Sequence, residues 1–421
     1  MVGNMHISEI VEWALTPIYC IVMLFGFGFT GDYSFNLPEE HVKYYLHRRP
    51  DIANACRSDS NCPYHAVVEN LNECWGYEPD CGFVKRSYSW NRVKCSKRFT
   101  KWYPTMKKKR TNFWNDADFG YIRNRKRTMK YICSPKVEVI FSRGDSSLEC
   151  TDFTEYCYAK NIFFDFKSLN LLSSNDRSDV IKEGEVGGKC ELHAGRLHAL
   201  TNRTGFLQSW YEELRHFSSL DSFKMDKTHC DIILEKPTIV MKLDAGISMY
   251  HHFCDFINLY ASQHLNGSFD QDVNVIIWDT VQSSPNVCLH RYGYRDFFQD
   301  TWKVFTQNRL MSLHDVDGKK VCFREVMMPM LARMFFGLYF NMPLVVKPWV
   351  DNFSVRTPDC SGSGLAHAFS KHLIHRLQLK QLGPLADKIR ITFLARKTHS
   401  RRILNSNEAS ITINDSKLLM N

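Results

Sequence analysis

The chain holds no C-x-x-C pair, so the zinc-ribbon spacing that would mark its cysteines as metal ligands is absent. After residue 31 it has no apolar run long enough to cross a bilayer. Residues 1–12 contain no lysine or arginine, although they carry Glu9 and Glu12. A net charge of only +9 over 421 residues excludes a strongly basic chain. So mild a balance favours anionic partners such as phosphates, but a solvated surface explains it as well, and no nucleic-acid partner is expected.

What is present points to a folded protein of the secretory route. With 44% hydrophobic and 24% charged residues, the chain is globular, and its length suits two or three domains. The uncharged run from Trp13 to Gly31 ends in small residues. It reads as a signal peptide over residues 1–31, with an uncleaved anchor as the alternative. No stable membrane span is expected once the signal is removed. Removing this leader, which carries Cys20, leaves fourteen of the fifteen cysteines. Six lie from Cys56 to Cys133 and four from Cys150 to Cys230, as expected of disulfides in an oxidising compartment. Their connectivity is open. N-x-S/T sequons at Asn202, Asn266, Asn352 and Asn414 agree with a lumenal glycoprotein.

Residues 32–228 read as a cysteine-rich N-terminal region of short helices and loops. LPEEHVKYYLHRRPDIANAC, from Leu37, has a helical pattern with Pro38 in its first turn. The basic and aromatic stretch 92–110 suits an anionic or glycan surface, or simply a solvated loop. From Cys230 strands and helices alternate: CDIILEKPTIVMKLD, then GISMYHHFCDFINLYASQHL, then DVNVIIWD. That alternation predicts an α/β fold with a parallel, Rossmann-like sheet over 229–386, whose ligands sit beyond the carboxyl ends of its strands. LMSLHDVDGKKVCFREVMM, residues 310–328, reads as a hairpin. Residues 387–421 read as the start of a further unit that is cut short, because one strand and a helix start cannot bury both faces of a sheet.

Two histidines and an aspartate interrupt the apolar stretch MYHHFCDFINLY. On a helix, His251 and Asp255 stand four residues apart on one face, and His252 is three from Asp255. A carboxylate beside an imidazole makes a tuned base, or locks a helix in the core. Arg396 follows a predicted strand, and Arg401 and Arg402 open the next helical stretch, a place suited to diphosphate oxygens. Lys242 and Asp244 in MKLDAG, and Arg333, read equally well as ion-pair partners or ligand contacts.

EKPTIVMKLDAGISMYHHFCDFINLYASQHLNGSF, VIIWDT, KKVCFREV and ITFLARKTHSRRILN together resemble the EGF domain-specific O-linked N-acetylglucosamine transferases of glycosyltransferase family 61. NCPYHAVVENLNECWGYEPDC and FWNDADFGYIR resemble their N-terminal region. The resemblance implies an inverting enzyme of the endoplasmic reticulum lumen. It would move N-acetylglucosamine from UDP-GlcNAc to Ser or Thr of EGF-like domains. It also implies a B-type fold of two Rossmann-like domains, with Asp255, His251 and His252 as catalytic candidates. Arg396, Arg401 and Asn405 fall on family positions near the nucleotide, and Arg333 on another family position.

The chain departs from that pattern in three ways. It lacks the second, donor-side Rossmann half with its G-x-H-G-A-G loop. It ends in KLLMN with no KDEL-like signal. Gln307-Asn308-Arg309 stands where animal enzymes carry Asp-Tyr-Asp. No cofactor is called for. A divalent metal at Asp315-Val316-Asp317 is conceivable, but DVDGKK reads at least as well as a hairpin turn. The alternative to a transferase is a lumenal module without activity that still binds acceptor glycoproteins.

Overall fold

The computed structural model describes residues 33–71, 94–95, 105–136, 145–169, 180–199, 209–244, 249–278, 289–290, 293–294, 299–334, 337–338, 360–361 and 363–380. The chain divides after Leu377, and only residues 378–380 of the second unit are described. The leader, Asn202, Asn352, Asn414, Arg396, Arg401 and Asn405 lie outside the described residues.

The N-terminal helical stretch is two helices, α1 (Glu39–Arg48) and α2 (Pro50–Ser58). Arg49 breaks them, with φ −121° and ψ 73°. The ring of Pro50 disfavours helical geometry at the residue before it, yet suits the first turn of the next helix. Helices α3 (Met106–Ala117) and α4 (Phe119–Arg127) are capped by Thr105 and Asp118. The Thr105 hydroxyl accepts the Lys108 N–H at 3.2 Å.

The region expected to be short helices and loops also holds strands. These are β1 (Lys130–Ser134), β2 (Ser147–Cys150), β3 (Cys157–Asp165), β4 (Val186–Gly188) and β5 (Glu191–Leu192). A short helix α5 (Tyr211–Leu214) and strand β6 (Phe217–Ser219) follow. Next come β7 (Ile232–Leu234), β8 (Thr238–Met241), helix α6 (Met249–Asn266), β9 (Asn274–Ile277), β10 (Met311–Ser312), helix α7 (Leu313–Val316), β11 (Lys320–Met328) and helix α8 (Gly364–Arg376).

These eleven strands form one sheet, ordered β10-β9-β8-β11-β3-β2-β1-β5, with β7 also on β11 and β4 and β6 branching from β3; two separate two-stranded pairs, Lys94–Cys95 with Cys360–Ser361 and Leu289–His290 with Gly293–Tyr294, lie outside it. One half is parallel: β10 on β9, β9 on β8, and β11 on both β8 and β7. The other is antiparallel, from β11 through β3, β2 and β1 to β5. The fold is thus mixed α/β, and its sheet joins strands from both sides of residue 229. Pro237 separates β7 from β8, where its missing N–H could not serve a ladder.

The stretch 310–328 is not a hairpin. β10 pairs with β9, and β11 with β3, β7 and β8. A capping box turns the chain into α7 instead: the Ser312 hydroxyl and the Asp315 carboxylate satisfy each other's backbone N–H groups. Gly318, at φ +69°, then completes the reversal.

Helices cover the parallel half. α6 crosses from β8 to its parallel neighbour β9 and packs on α4 and α8. Beneath it His41, Tyr44, Phe119, Tyr260, His264, Phe269, Phe369 and His372 form one aromatic cluster. The ring of His264 stands edge-on to Tyr260 at 4.5 Å and to Phe269 at 4.8 Å. Arg376 borders the cluster, its guanidinium donating to the carbonyls of Asn36, Phe269 and Val304. Burial holds all three histidines neutral, and Arg376 adds to it at His41 and His372. His41 is pushed down to about 3, and His264 and His372 fall well below the ordinary range. Four disulfides occur among the described residues: Cys56–Cys62, Cys133–Cys190, Cys150–Cys157 and Cys230–Cys322. Among the described residues no helix is long and apolar enough to cross a membrane.

Candidate functional site

The carboxyl ends of β8, β9, β10 and β11 come to one edge of the sheet, because these strands run parallel. The chain leaves β8 into Asp244 and leaves β11 into a turn that carries Arg333. Asp244 is the junction. One of its carboxylate oxygens accepts the His251 Nδ1–H at 2.5 Å, and the other accepts the Arg333 Nε–H at 2.5 Å. Its backbone N–H donates to the Asp255 carboxylate at 2.8 Å.

His251 and Asp255 therefore converge on the same residue from one face of α6, as their spacing predicts. The carboxylate bonded to the imidazole, however, is Asp244. Asp255 is fully buried and holds the backbone that presents Asp244. His252 points the other way, into the core. Its ring lies 4.4 Å from that of Phe256 and 5.9 Å from that of Trp302, and burial pushes it down to about 4. A histidine so placed stays neutral and away from solvent. Of the three candidates in the MYHHFCDFINLY stretch, His251 alone is partly exposed, its side chain at 25%, against 4% for Asp244. Beside it Tyr250 is exposed and meets the His251 ring edge-on at 5.2 Å, and Met249 is exposed too.

α6 also fixes the Arg333 turn at both ends. The Ser262 hydroxyl accepts the Met330 N–H at 2.9 Å. Further on, the Asn258 side chain accepts the Leu338 N–H at 2.9 Å and donates to the Leu338 carbonyl at 2.7 Å. One helix thus sets the positions of His251, Asp244 and the Arg333 segment. Nothing in residue spacing announces this, since Asn258 and Ser262 read as ordinary helix positions.

Chemically, a carboxylate on Nδ1 holds the imidazole in the tautomer whose Nε2 takes up a proton, and stabilises the cation that results. Arg333 offsets the buried charge of Asp244. The arrangement is thus one able to orient a base, and it lies at the sheet edge where ligands bind in α/β folds.

The DVD segment is otherwise engaged. The Asp315 carboxylate accepts the Ser312 N–H at 2.7 Å and pairs with Arg309 at 2.5 Å. Among the described residues no group of three or more His, Cys, Asp or Glu is placed to hold a metal ion. Asn308 donates to Asp272 at 3.1 Å and to the Val273 carbonyl at 3.0 Å, ties that hold a turn. Asn266 is the last residue of α6 and half-buried.

No protein-family model matches the chain. It is 42% identical over 375 residues to the EGF domain-specific O-linked N-acetylglucosamine transferase of Bos taurus, across 89% of this chain and 66% of that protein. The Gallus gallus protein of the same name is 42% identical over 381 residues, with the same two coverages. That of Drosophila melanogaster is 37% identical over 389 residues, across 90% of this chain and 68% of its own length. The chain thus spans about two thirds of the length of these curated relatives.

Proposed function

Because the chain belongs to the family of EGF domain-specific O-linked N-acetylglucosamine transferases, we propose that it takes part in moving N-acetylglucosamine from UDP-GlcNAc to Ser or Thr of EGF-like domains in the endoplasmic reticulum lumen. The disulfides support an oxidising compartment. The observation that carries the reading is the Asp244–His251 hydrogen bond at the carboxyl edge of the parallel strands.

In this reading His251 is the general base. Its Nε2 takes the proton of the acceptor hydroxyl as that oxygen attacks the anomeric carbon. The bond from that carbon to the UDP oxygen breaks, UDP leaves with the bonding electron pair, and the configuration inverts. Asp244 orients the ring and balances the imidazolium; Asp255 holds Asp244 in place. Arg333, paired with Asp244, is proposed as a ligand contact, and Arg396, Arg401 and Asn405 are proposed separately as donor-binding residues.

Transfer of labelled N-acetylglucosamine from UDP-GlcNAc to a folded EGF domain tests the assignment. His251→Ala is expected to lower kcat roughly 10²–10⁴-fold, the worth of a positioned base. Asp244→Asn is expected to lower it by a similar factor, and His252→Phe to leave it within a few fold. Full activity in His251→Ala would sink the assignment. A folded parent chain that binds the EGF domain but transfers no sugar would favour the reading without activity.

A further inference from the structure

The two strand ends that meet in the Asp244–Arg333 pair are also joined from outside, by a short segment of the N-terminal region. Lys242, two residues before Asp244, is buried, and its ammonium sits 2.5 Å from the Glu213 carboxylate. The same ammonium lies 4.5 Å from the centre of the Trp210 ring and 3.3 Å from the Ser209 carbonyl. Trp210 is itself fully buried, and its indole N–H donates to the Pro329 carbonyl at 2.8 Å. Pro329 is the residue that leaves β11 toward Arg333. The Trp210 backbone is anchored in turn by its N–H to the Thr154 carbonyl at 3.2 Å. One tryptophan thus touches the β8 terminus with its ring face and the β11 terminus with its N–H.

We infer that Trp210, Glu213 and Lys242 form a clasp of positioning residues, which sets the separation of the β8 and β11 ends and thereby holds Asp244 in register with His251 and Arg333. The inference rests on the reading of Asp244 and His251 as the catalytic pair. A buried charge pair is not needed for stability, since apolar residues of like volume usually serve as well or better. Glu213 moreover keeps one carboxylate oxygen buried without a partner, and burial raises its pKa against the pull of Lys242. What the pair supplies that an apolar contact lacks is direction: it fixes where the backbone of residue 242 sits.

The test removes the pair without leaving a lone buried charge. In the full chain, Glu213→Leu with Lys242→Met is expected to keep the thermal midpoint of the parent or raise it. It should lower kcat roughly tenfold or more, with KM for both substrates within about twofold, as displacement of a catalytic group does. The hydrogen-bonded Nδ1 proton of His251, followed by NMR on histidine-labelled protein, should shift or vanish into exchange with solvent. A folded double variant with that proton and kcat unchanged overturns the clasp. If the double variant does not fold, Trp210→Phe decides, because it keeps a ring under Lys242 and deletes only the donor to Pro329; an unaltered Nδ1 proton there also overturns the proposal. The proton resonance reads geometry without turnover. A parent chain that transfers no sugar, or a fully active His251→Ala, therefore counts against the base assignment, while the clasp stands or falls on the resonance.

Discussion

The parallel and antiparallel halves of the eleven-stranded sheet are held together largely by different means. In the parallel half β8 is buried at every position and β9 at three of four, and helices lie over them. In the antiparallel half β2 alternates buried and half-buried positions along its length. There, Cys150–Cys157 fastens β2 to β3 and Cys133–Cys190 ties β1 to the bend before β5, while Cys230–Cys322 ties β11, the strand the two halves share, to the segment before β7. A strand covered on both faces is fixed by packing, whereas one open on a face gains from covalent ties. The division matters for function because only parallel strands bring their carboxyl ends to one edge. The antiparallel half then serves as the support from which Trp210 and Glu213 reach that edge.

If the comparison is right, acid and the removal of Cys133–Cys190 or Cys150–Cys157 should attack different halves. Acid has the larger expected effect. His41, His264, His372 and His252 are held neutral in the folded chain and gain protons readily once unfolded. The unfolded state therefore binds more protons below pH 6.5, and stability falls as the pH drops through that value toward the lowered folded values. Each such histidine costs about 1.4 kcal/mol per pH unit, or roughly 2 kcal/mol at pH 5. Asp116 and Asp118, lifted to about 6 by burial, act in the opposite sense and return roughly 1 kcal/mol each. Arg376 keeps its proton throughout, since burial lowers it only to about 10. Urea unfolding at pH 7 and pH 5 should show a net loss of several kcal/mol, and His264→Phe should flatten the slope. Amide exchange should place the loss in α6, α8 and the parallel strands. Equal loss of protection in β1–β3 would break the comparison.

Removing Cys133–Cys190 by Cys→Ala at both positions should cost about 4 kcal/mol, the loop entropy for its 57-residue separation. Protection should fall in β1 and β5 first, with the Asp244–His251 bond retained. Removing Cys150–Cys157 should cost less, about 2.5 kcal/mol, because it closes a span of only 7 residues. The smallest effect sharpens the boundary between the halves. Ser312→Ala deletes one member of the capping box that turns the chain from β10 toward β11. It should lower stability by about 1 kcal/mol in thermal unfolding and leave the antiparallel half untouched.

Much of the parallel half was legible in the residues. IVM in β8 and VII in β9 are short apolar runs that suit strands buried on both faces, and the helix between them carries the apolar positions of a crossover. The short strands of the other half were not, because Val186–Gly188 and Glu191–Leu192 are too short to show a period. The hairpin expected over 310–328 failed for a related reason. Its turn residues signal a reversal but do not say which strand β11 will meet, and β3, from far earlier in the chain, supplies the longer partner.

The sequence by itself determined the family, an oxidising cysteine content, the helix that holds His251 and Asp255 four residues apart on one face, and the strand that delivers Asp244 to its end. These follow from local composition and from period. Tertiary structure alone decided that Asp244, not Asp255, bonds the imidazole, that His252 is buried in the core, and that Trp210 and Glu213 brace the site. Each of those outcomes depends on which side chain fills a space between elements distant in sequence, and spacing along the chain carries no record of that distance.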